Sequence, residues 1–289
     1  MLERAIDHTL LSTVERCGAE AWFRFKQNLT RPESESAALR TGRAVHAGLR
    51  LFYDGAPIEA CVERVEDDWR GDGAPDELEG EKWRTLDKAR KLVRVYADVY
   101  PRGKWGFVVM KNEEWVESKE AGVGAVVDRV VQRTDGEVYL MDTKTSGMVP
   151  TEATLKQFSF HLQAYLQLTA SDAACVHDAA AGFCYDGIYV ARRKDVLPTD
   201  FTRYWIPYSM ETRDLLAGVA SKRIAEWKVV EAATSPNGLR RPGACFRYNS
   251  ICPFYRYCTK SDGDREDMVD LALTTGELVL QEWNPRGAR

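Results

Sequence analysis

Asp128, Asp142 and Lys144 are the residues around which a reaction can be written. They lie in residues 124–144, GAVVDRVVQRTDGEVYLMDTK, where two apolar runs flank Thr134-Asp135-Gly136. Asp-Gly between apolar segments predicts a β-hairpin bend. Side chains alternate across a strand, so Asp142 and Lys144 share one face and Thr143 takes the other. Pairing of the hairpin brings Asp128 to that same face, at the edge of an apolar sheet. Two carboxylates so placed repel, and one keeps its proton unless a cation intervenes. Mg²⁺ takes oxygen ligands and usually binds one or two carboxylates plus substrate phosphate. A lysine beside it can hold or deprotonate an attacking water and neutralise a phosphate oxygen. The plainer alternative is a solvated strand end carrying an i,i+2 ion pair.

A second group with ligand chemistry is Cys245-x6-Cys252-Pro253-Phe254-Tyr255-Arg256-Tyr257-Cys258. Closely spaced cysteines, one followed by proline, fit an iron–sulfur cluster or zinc. Three thiolates need a fourth ligand, and Cys17 is available. Seven cysteines in a chain that opens without an apolar export segment point to reduced thiols or metal ligands rather than disulfides. Cys61, Cys175 and Cys184 lie in apolar surroundings and read as core residues.

The elements that must position these groups can be placed in order. Residues 7–28 read as a helix carrying Cys17, and residues 31–36 as a polar loop. A helix over 37–53 puts Leu39, Val45, Leu49 and Phe52 at apolar spacing and includes Gly42-Arg43-Ala44-Val45-His46. Residues 71–80 form a loop. A helix over 81–100 carries a stripe of Arg84, Lys88 and Lys91, a candidate phosphate track, and Pro101 ends it. A strand over 107–116 bears Glu113-Glu114, and a helix over 152–170 follows the hairpin with Gln163 and Tyr165. Strands over 183–191 and 201–207 are joined by basic Arg192-Arg193-Lys194. A helix over 210–232 turns Leu215, Val219 and Trp227 inward. The apolar stretch 268–280 receives no chemistry.

The chain of 289 residues is 44% hydrophobic and 29% charged, an ordinary soluble composition for one large or two small domains. It divides into an N-terminal helical region (1–105), a central core (106–235), a cysteine segment (236–260) and a tail (261–289). No apolar run is long enough to span a bilayer, so a cytoplasmic location is expected and membrane partners are not. A formal net charge of −4 does not advertise nucleic-acid binding, so any such contact must come from local basic patches.

Asp128, the turn and Asp142-x-Lys144 resemble the core motif of the PD-(D/E)XK nucleases, and GAVVDRVV…VYLMDTKTSG resembles their RecB-like branch. The resemblance spans roughly residues 10–258. Gly42…His46 is similar to the G-x-x-x-H motif of that branch, Glu114 stands where a strand glutamate precedes the aspartate, and HLQAYLQL resembles its glutamine-bearing helix. One N-terminal cysteine with three near the C-terminus is similar to AddB nuclease domains and the CRISPR-associated adaptation nucleases. The resemblance implies an α/β fold: a mixed central sheet flanked by helices, a restriction-endonuclease-like core, with a metal cluster stapling the N- and C-terminal segments.

It further implies a Mg²⁺- or Mn²⁺-dependent deoxyribonuclease, an exonuclease on single-stranded or end-containing DNA in recombination, repair or CRISPR-adaptation-like processing, with a helicase or recombination partner. His46, Asp128, Asp142 and the Thr143 backbone carbonyl would hold the metal. Lys144 would orient or deprotonate water, with Glu114 and Gln163 supporting. Cys17, Cys245, Cys252 and Cys258 would ligate a [4Fe–4S] cluster, or zinc. The alternative is a non-catalytic DNA-binding or scaffold subunit of a helicase–nuclease complex.

Overall fold

Asp7 opens the first helix by accepting the Leu10 N–H on Oδ1 at 2.9 Å, as an N-cap carboxylate does. The computed structural model describes residues 6–32, 36–71, 73, 75–76, 81–119, 122–149, 151, 161–173, 180–247 and 250–283. In it this helix, α1 (His8–Arg16), stops at Cys17 instead of running to residue 28. Cys17 is extended, at φ −162° and ψ 116°, and the chain restarts as α2 (Gly18–Ala21) and a π-helical turn (Trp22–Lys26). Close packing accompanies the break. A Cβ on Gly18 would stand 3.2 Å from the Leu239 carbonyl oxygen, so the chain after Cys17 is pressed against a remote segment.

The two-residue strand β1 (Leu29–Thr30) precedes α3 (Ala37–Tyr53), which has the bounds its periodicity predicts and is capped by Ser36 Oγ on the Leu39 N–H. Next comes α4 (Ile58–Arg70), a helix the sequence reading passed over. Pro57 and the buried Cys61, Val62, Val65 and Trp69 at helical spacing mark it. A Cβ on Gly48 would lie 2.6 Å from the Val65 side chain, so glycine there lets α3 and α4 touch closely. Thr85 caps α5 (Leu86–Val99), which starts later than residue 81 and ends just short of the pre-proline position.

The sheet uses β2 (Phe107–Ser118), β3 (Val123–Arg133) and β4 (Val138–Ser146), then α6 (Leu162–Ala173), β5 (Gly182–Tyr189) and β6 (Phe201–Pro207). Residues 152–160 of the expected helix lie outside the described residues, as does Cys175. The five strands lie in the order β2-β3-β4-β5-β6, with β4 and β5 parallel and the other neighbours antiparallel. The fold is therefore the expected mixed central sheet flanked by helices. At the hairpin bend Gly136 takes φ +90°, a left-handed conformation natural to glycine. Its N–H donates to the Arg133 carbonyl at 2.9 Å.

Strand alternation sorts two cores. Val131, Tyr139, Met141 and Cys184 pack with α3, α4 and α5. Val130, Leu140, Phe183 and Ile206 pack with α6 and with α7 (Met210–Ala232). On α7 the inward residues are Leu216, Ala220, Trp227 and Val230, while Leu215 is 56% exposed and Val219 38%. The helical period was legible and Trp227 is inward as expected, but Leu216 and Ala220 take the places expected of Leu215 and Val219, because the neighbours that cover α7 and not its own apolar spacing choose the face.

The chain ends in β7 (Phe246–Arg247), β8 (Ser250–Ile251), α8 (Tyr255–Cys258), α9 (Asp262–Thr274) and β9 (Val279–Leu280). Here the tail acquires a role. Leu278, Ala272, Phe254 and Tyr257 share a core with Leu10, Leu11, Phe23 and Phe25, and β9 pairs antiparallel with β1. Burial and strand pairing thus tie the two ends of the chain together. Among the described residues no helix is long and apolar enough to cross a membrane.

Candidate functional site

The ladder between β3 and β4 ends at the pair Arg129–Met141, one step before Asp128 would face Asp142. There the strands part, and the Thr143 N–H is taken by Asp128 Oδ2 at 2.9 Å. His46 Nδ1 lies 3.3 Å from the same oxygen. On β4, Lys144 Nζ stands 2.6 Å from Asp142 Oδ2, and Gln163 Nε2 donates to Asp142 Oδ1 at 3.4 Å. The sequence-predicted residues Asp128, Asp142, Thr143, Lys144, His46 and Gln163 are thus brought together, with α3 and α6 delivering His46 and Gln163. Gly42 explains the approach of α3: a Cβ there would meet Thr145 Oγ1 at 3.0 Å. One helical turn on, His46 reaches Asp128.

Both carboxylates are buried, Asp128 at 8% and Asp142 at 3% exposure. Burial raises the Asp128 pKa, but His46, Arg129, Lys144 and the Thr143 amide outweigh it and hold the carboxyl below its usual range. Asp142 Oδ2 is buried and receives no hydrogen bond; its near neighbour is the Lys144 ammonium, an ion pair without hydrogen-bonding angles. An oxygen left in this state fits a cation. Among the described residues no three His, Cys, Asp or Glu side chains form a ready metal cage. Two neighbouring carboxylates suit Mg²⁺ or Mn²⁺, which complete their shell with water and substrate oxygens. Two histidines unmarked by the sequence reading flank this edge. His8 and His161 lie 5.2 Å apart, and burial, with Lys144 contributing to both, lowers each imidazole, His8 to about 4.

A cleft of about 770 Å³ leads to the site between α3, α4 and β4, lined in part by Arg43, His46, Arg50, Arg64, Glu113 and Lys144. The two strand glutamates part here. Glu113, not Glu114, falls opposite Asp128 in the register of β2, adopts φ 51°, and pairs with Arg50 on the cleft wall. Glu114 instead binds Lys111 Nζ at 2.7 Å, and its Oε2 is buried without a hydrogen-bond partner. A non-glycine residue at positive φ breaks the strand alternation locally.

Beneath Thr143, on the opposite face, lies a buried polar network that the sequence reading missed. Thr143 Oγ1 accepts from Arg129 and donates to Asp186 Oδ2 at 3.2 Å. Asp186, fully buried, also accepts from Tyr96 and from Arg203 Nε at 3.0 Å. Tyr53 and Tyr96 hydroxyls meet at 2.6 Å and both receive Arg203. The available signal was an aspartate inside the otherwise apolar β5 run GFCYDGIY.

The expected phosphate stripe on α5 does not form. Lys88 is 4% exposed and donates to the carbonyls of Arg193 and Asp195 at 2.9 and 3.0 Å, while Lys91 pairs with Asp87. Arg84 turns away toward Gly147. The four singled-out cysteines do converge. Burial pushes the Cys252 thiol up to about 11 and raises Cys258, with the neighbouring Cys17 and Cys245 thiols adding to both. The Cys252 N–H donates to the Cys245 carbonyl at 2.8 Å. Cysteine sulfurs gathered in one place fit a cluster or zinc, although among the described residues no three His, Cys, Asp or Glu side chains are arranged to hold a metal ion.

A family model described as the PD-(D/E)XK nuclease superfamily matches residues 7–259. No curated protein gives a significant match. A solved structure described as SSO0001 is 12% identical and pairs 75% of this chain with 84% of its own, at a TM-score of 0.27, too low to bear on the argument.

Proposed function

The chain belongs to the PD-(D/E)XK nuclease superfamily, and we propose that it is a metal-dependent deoxyribonuclease of the RecB-like branch that trims DNA from free ends. The observation that carries this reading is the buried Asp142 Oδ2, which has no hydrogen bond and is ion-paired with Lys144, at the strand end beside Asp128.

Asp128 and Asp142 would hold Mg²⁺ or Mn²⁺, with His46 and the Thr143 carbonyl at its margin. The cation would supply positive charge to the scissile phosphate and the leaving oxygen. The Lys144 ammonium would orient the attacking water and neutralise charge on a phosphate oxygen while the water oxygen bonds to phosphorus and the bond to the leaving strand oxygen breaks, the water's proton passing to solvent and the leaving oxygen taking one from solvent. Gln163 fixes the Asp142 carboxylate, and the Thr143 amide fixes that of Asp128. The Arg43, Arg50 and Arg64 side chains of the cleft offer contacts to the strand backbone.

Cys17, Cys245, Cys252 and Cys258 would bind a [4Fe–4S] cluster with a structural task. The cluster would reinforce a junction that packing already makes between the chain ends.

The test is digestion of linear and covalently closed circular DNA, single- and double-stranded, with each linear end labelled in turn. Release of label from linear strands with circles spared supports end-directed action. Cutting of circles at the same rate rejects it.

A further inference from the structure

A second recess, about 280 Å³, opens beyond the end of β4 and is lined by Glu81, Lys82, Trp83, Arg84, Gly147 and Arg192 among others. We propose that it receives the terminal phosphate monoester of the DNA strand, so that a phosphorylated end anchors the substrate. This deepens the end-directed nuclease reading and rests on it for the identity of the strand.

Position comes first. Gly147 follows Lys144 by three residues, about 10 Å along an extended chain at ~3.3 Å per residue. The Val190 N–H donates to the Ser146 carbonyl at 2.7 Å, so the recess lies at the carboxyl ends of the parallel pair β4–β5. In α/β sheets that is where ligands gather.

Charge is the second argument. Arg84 stands 3.6 Å from Glu81, whereas Lys82 and Arg192 make no ion pair with any described residue. Three cations against one carboxylate leave a local charge of +2, in a chain whose formal net charge is −4. A terminal phosphate carries about −1.5 to −2 at pH 7, and an internal diester about −1. The recess matches the terminal group.

Construction is the third. Arg193 is drawn to Asp200, and Lys88 clamps the carbonyls of Arg193 and Asp195. The loop behind Arg192 is thereby fixed while Arg192 itself stays exposed at the recess. A Cβ on Gly147 would meet the Arg84 guanidinium at 2.8 Å, so glycine leaves room for that cation over the backbone. Trp83, 38% exposed, offers a face on which the end base can stack.

The experiment measures binding of a short single-stranded oligonucleotide to the full chain in EDTA, with a 5′-phosphate, a 3′-phosphate or hydroxyls at both ends. Wild-type protein is expected to bind one phosphorylated form at least about tenfold more tightly than the hydroxyl form, as for the gain of a charge-assisted contact. The preference should fade as pH falls through about 6, where the phosphate takes up its second proton. It should vanish in Lys82→Ala/Arg192→Ala, whose side chains are exposed, and survive in Lys194→Ala, an exposed lysine outside the recess. Equal binding of all three oligonucleotides, or a preference that survives the double substitution, overturns the proposal. Cleavage is scored separately with Mg²⁺: an intact end preference without cleavage leaves the receptor standing and removes the nuclease reading.

Discussion

The Thr143 N–H donates to Asp128 Oδ2 at 2.9 Å, so an aspartate side chain takes the place that a strand carbonyl would have filled. The same residue's hydroxyl is held between Arg129 and Asp186 on the other face of the sheet. Thr143 therefore couples the Asp128–Asp142 edge to a fully buried ion network.

Thr143→Val is expected to lower stability by about 1–3 kcal/mol, since the hydroxyl's buried partners lose a contact they cannot replace with water. Thr143→Ser keeps the oxygen and should stay near wild type. Urea unfolding midpoints of the two variants check this, and equal losses would contradict it.

Asp186→Ala should cost more, about 3–5 kcal/mol, because Arg203 then loses its carboxylate partner and Arg129 keeps only Asp128 nearby. The same urea series reads it. A loss smaller than that of Thr143→Val would show that the network is not centred on Asp186.

Much of the site was legible because its chemistry demands particular residues at short range. The Asp-Gly bend and the alternation of Asp142 and Lys144 follow from local geometry, whereas Gly42…His46 was marked only by its resemblance to a family motif. What escaped depends on distant partners. Tyr53, Tyr96, Asp186 and Arg203 lie on four separate elements, and only the fold makes them neighbours. Lys88 looked like a solvated cation on a helical wheel, yet the loop that follows β5 covers it. Glu114 was preferred to Glu113 on resemblance alone, and the positive φ of Glu113 inside β2 could not be read from the sequence.

Asp7 and His8 are adjacent, half-buried and shifted in opposite directions. Burial raises Asp7 from 3.8 to about 6, so the folded chain keeps a proton there that the unfolded chain releases. Its contribution is full below 3.8 and is lost as pH rises through 6. Burial lowers His8 from 6.5 to about 4, so its contribution is full above 6.5 and is lost as pH falls through 4. The two slopes oppose each other across most of this range. Relative to wild type, His8→Gln should lose stability as pH rises from about 4 to 6, and Asp7→Asn should gain it, each by roughly 1–3 kcal/mol. Melting temperatures across that range check the pair, and profiles parallel to wild type would contradict it.

Cys17→Ala would remove one ligand of the proposed cluster, at the corner between α1 and α2. Protein prepared without air is expected to be brown, with iron and sulfide in comparable amounts, and the substitution should lower colour and melting temperature together. A colourless wild-type protein holding one zinc would assign the four thiols to zinc instead. Full colour and unchanged melting in the variant would exclude Cys17.

The central claim is that Asp128, Asp142 and Lys144 cleave phosphodiesters with a divalent cation, and single-turnover digestion of end-labelled DNA by wild type, Asp142→Ala and Lys144→Ala tests it most directly. Wild type should cut with Mg²⁺ or Mn²⁺ and stop in EDTA. Asp142→Ala should lose cation-dependent activity, and Lys144→Ala should bind DNA but cut at least about 10²-fold more slowly, as on loss of a positioned proton-transfer group. Wild-type cutting in EDTA, or unchanged rates in both variants, would contradict the account.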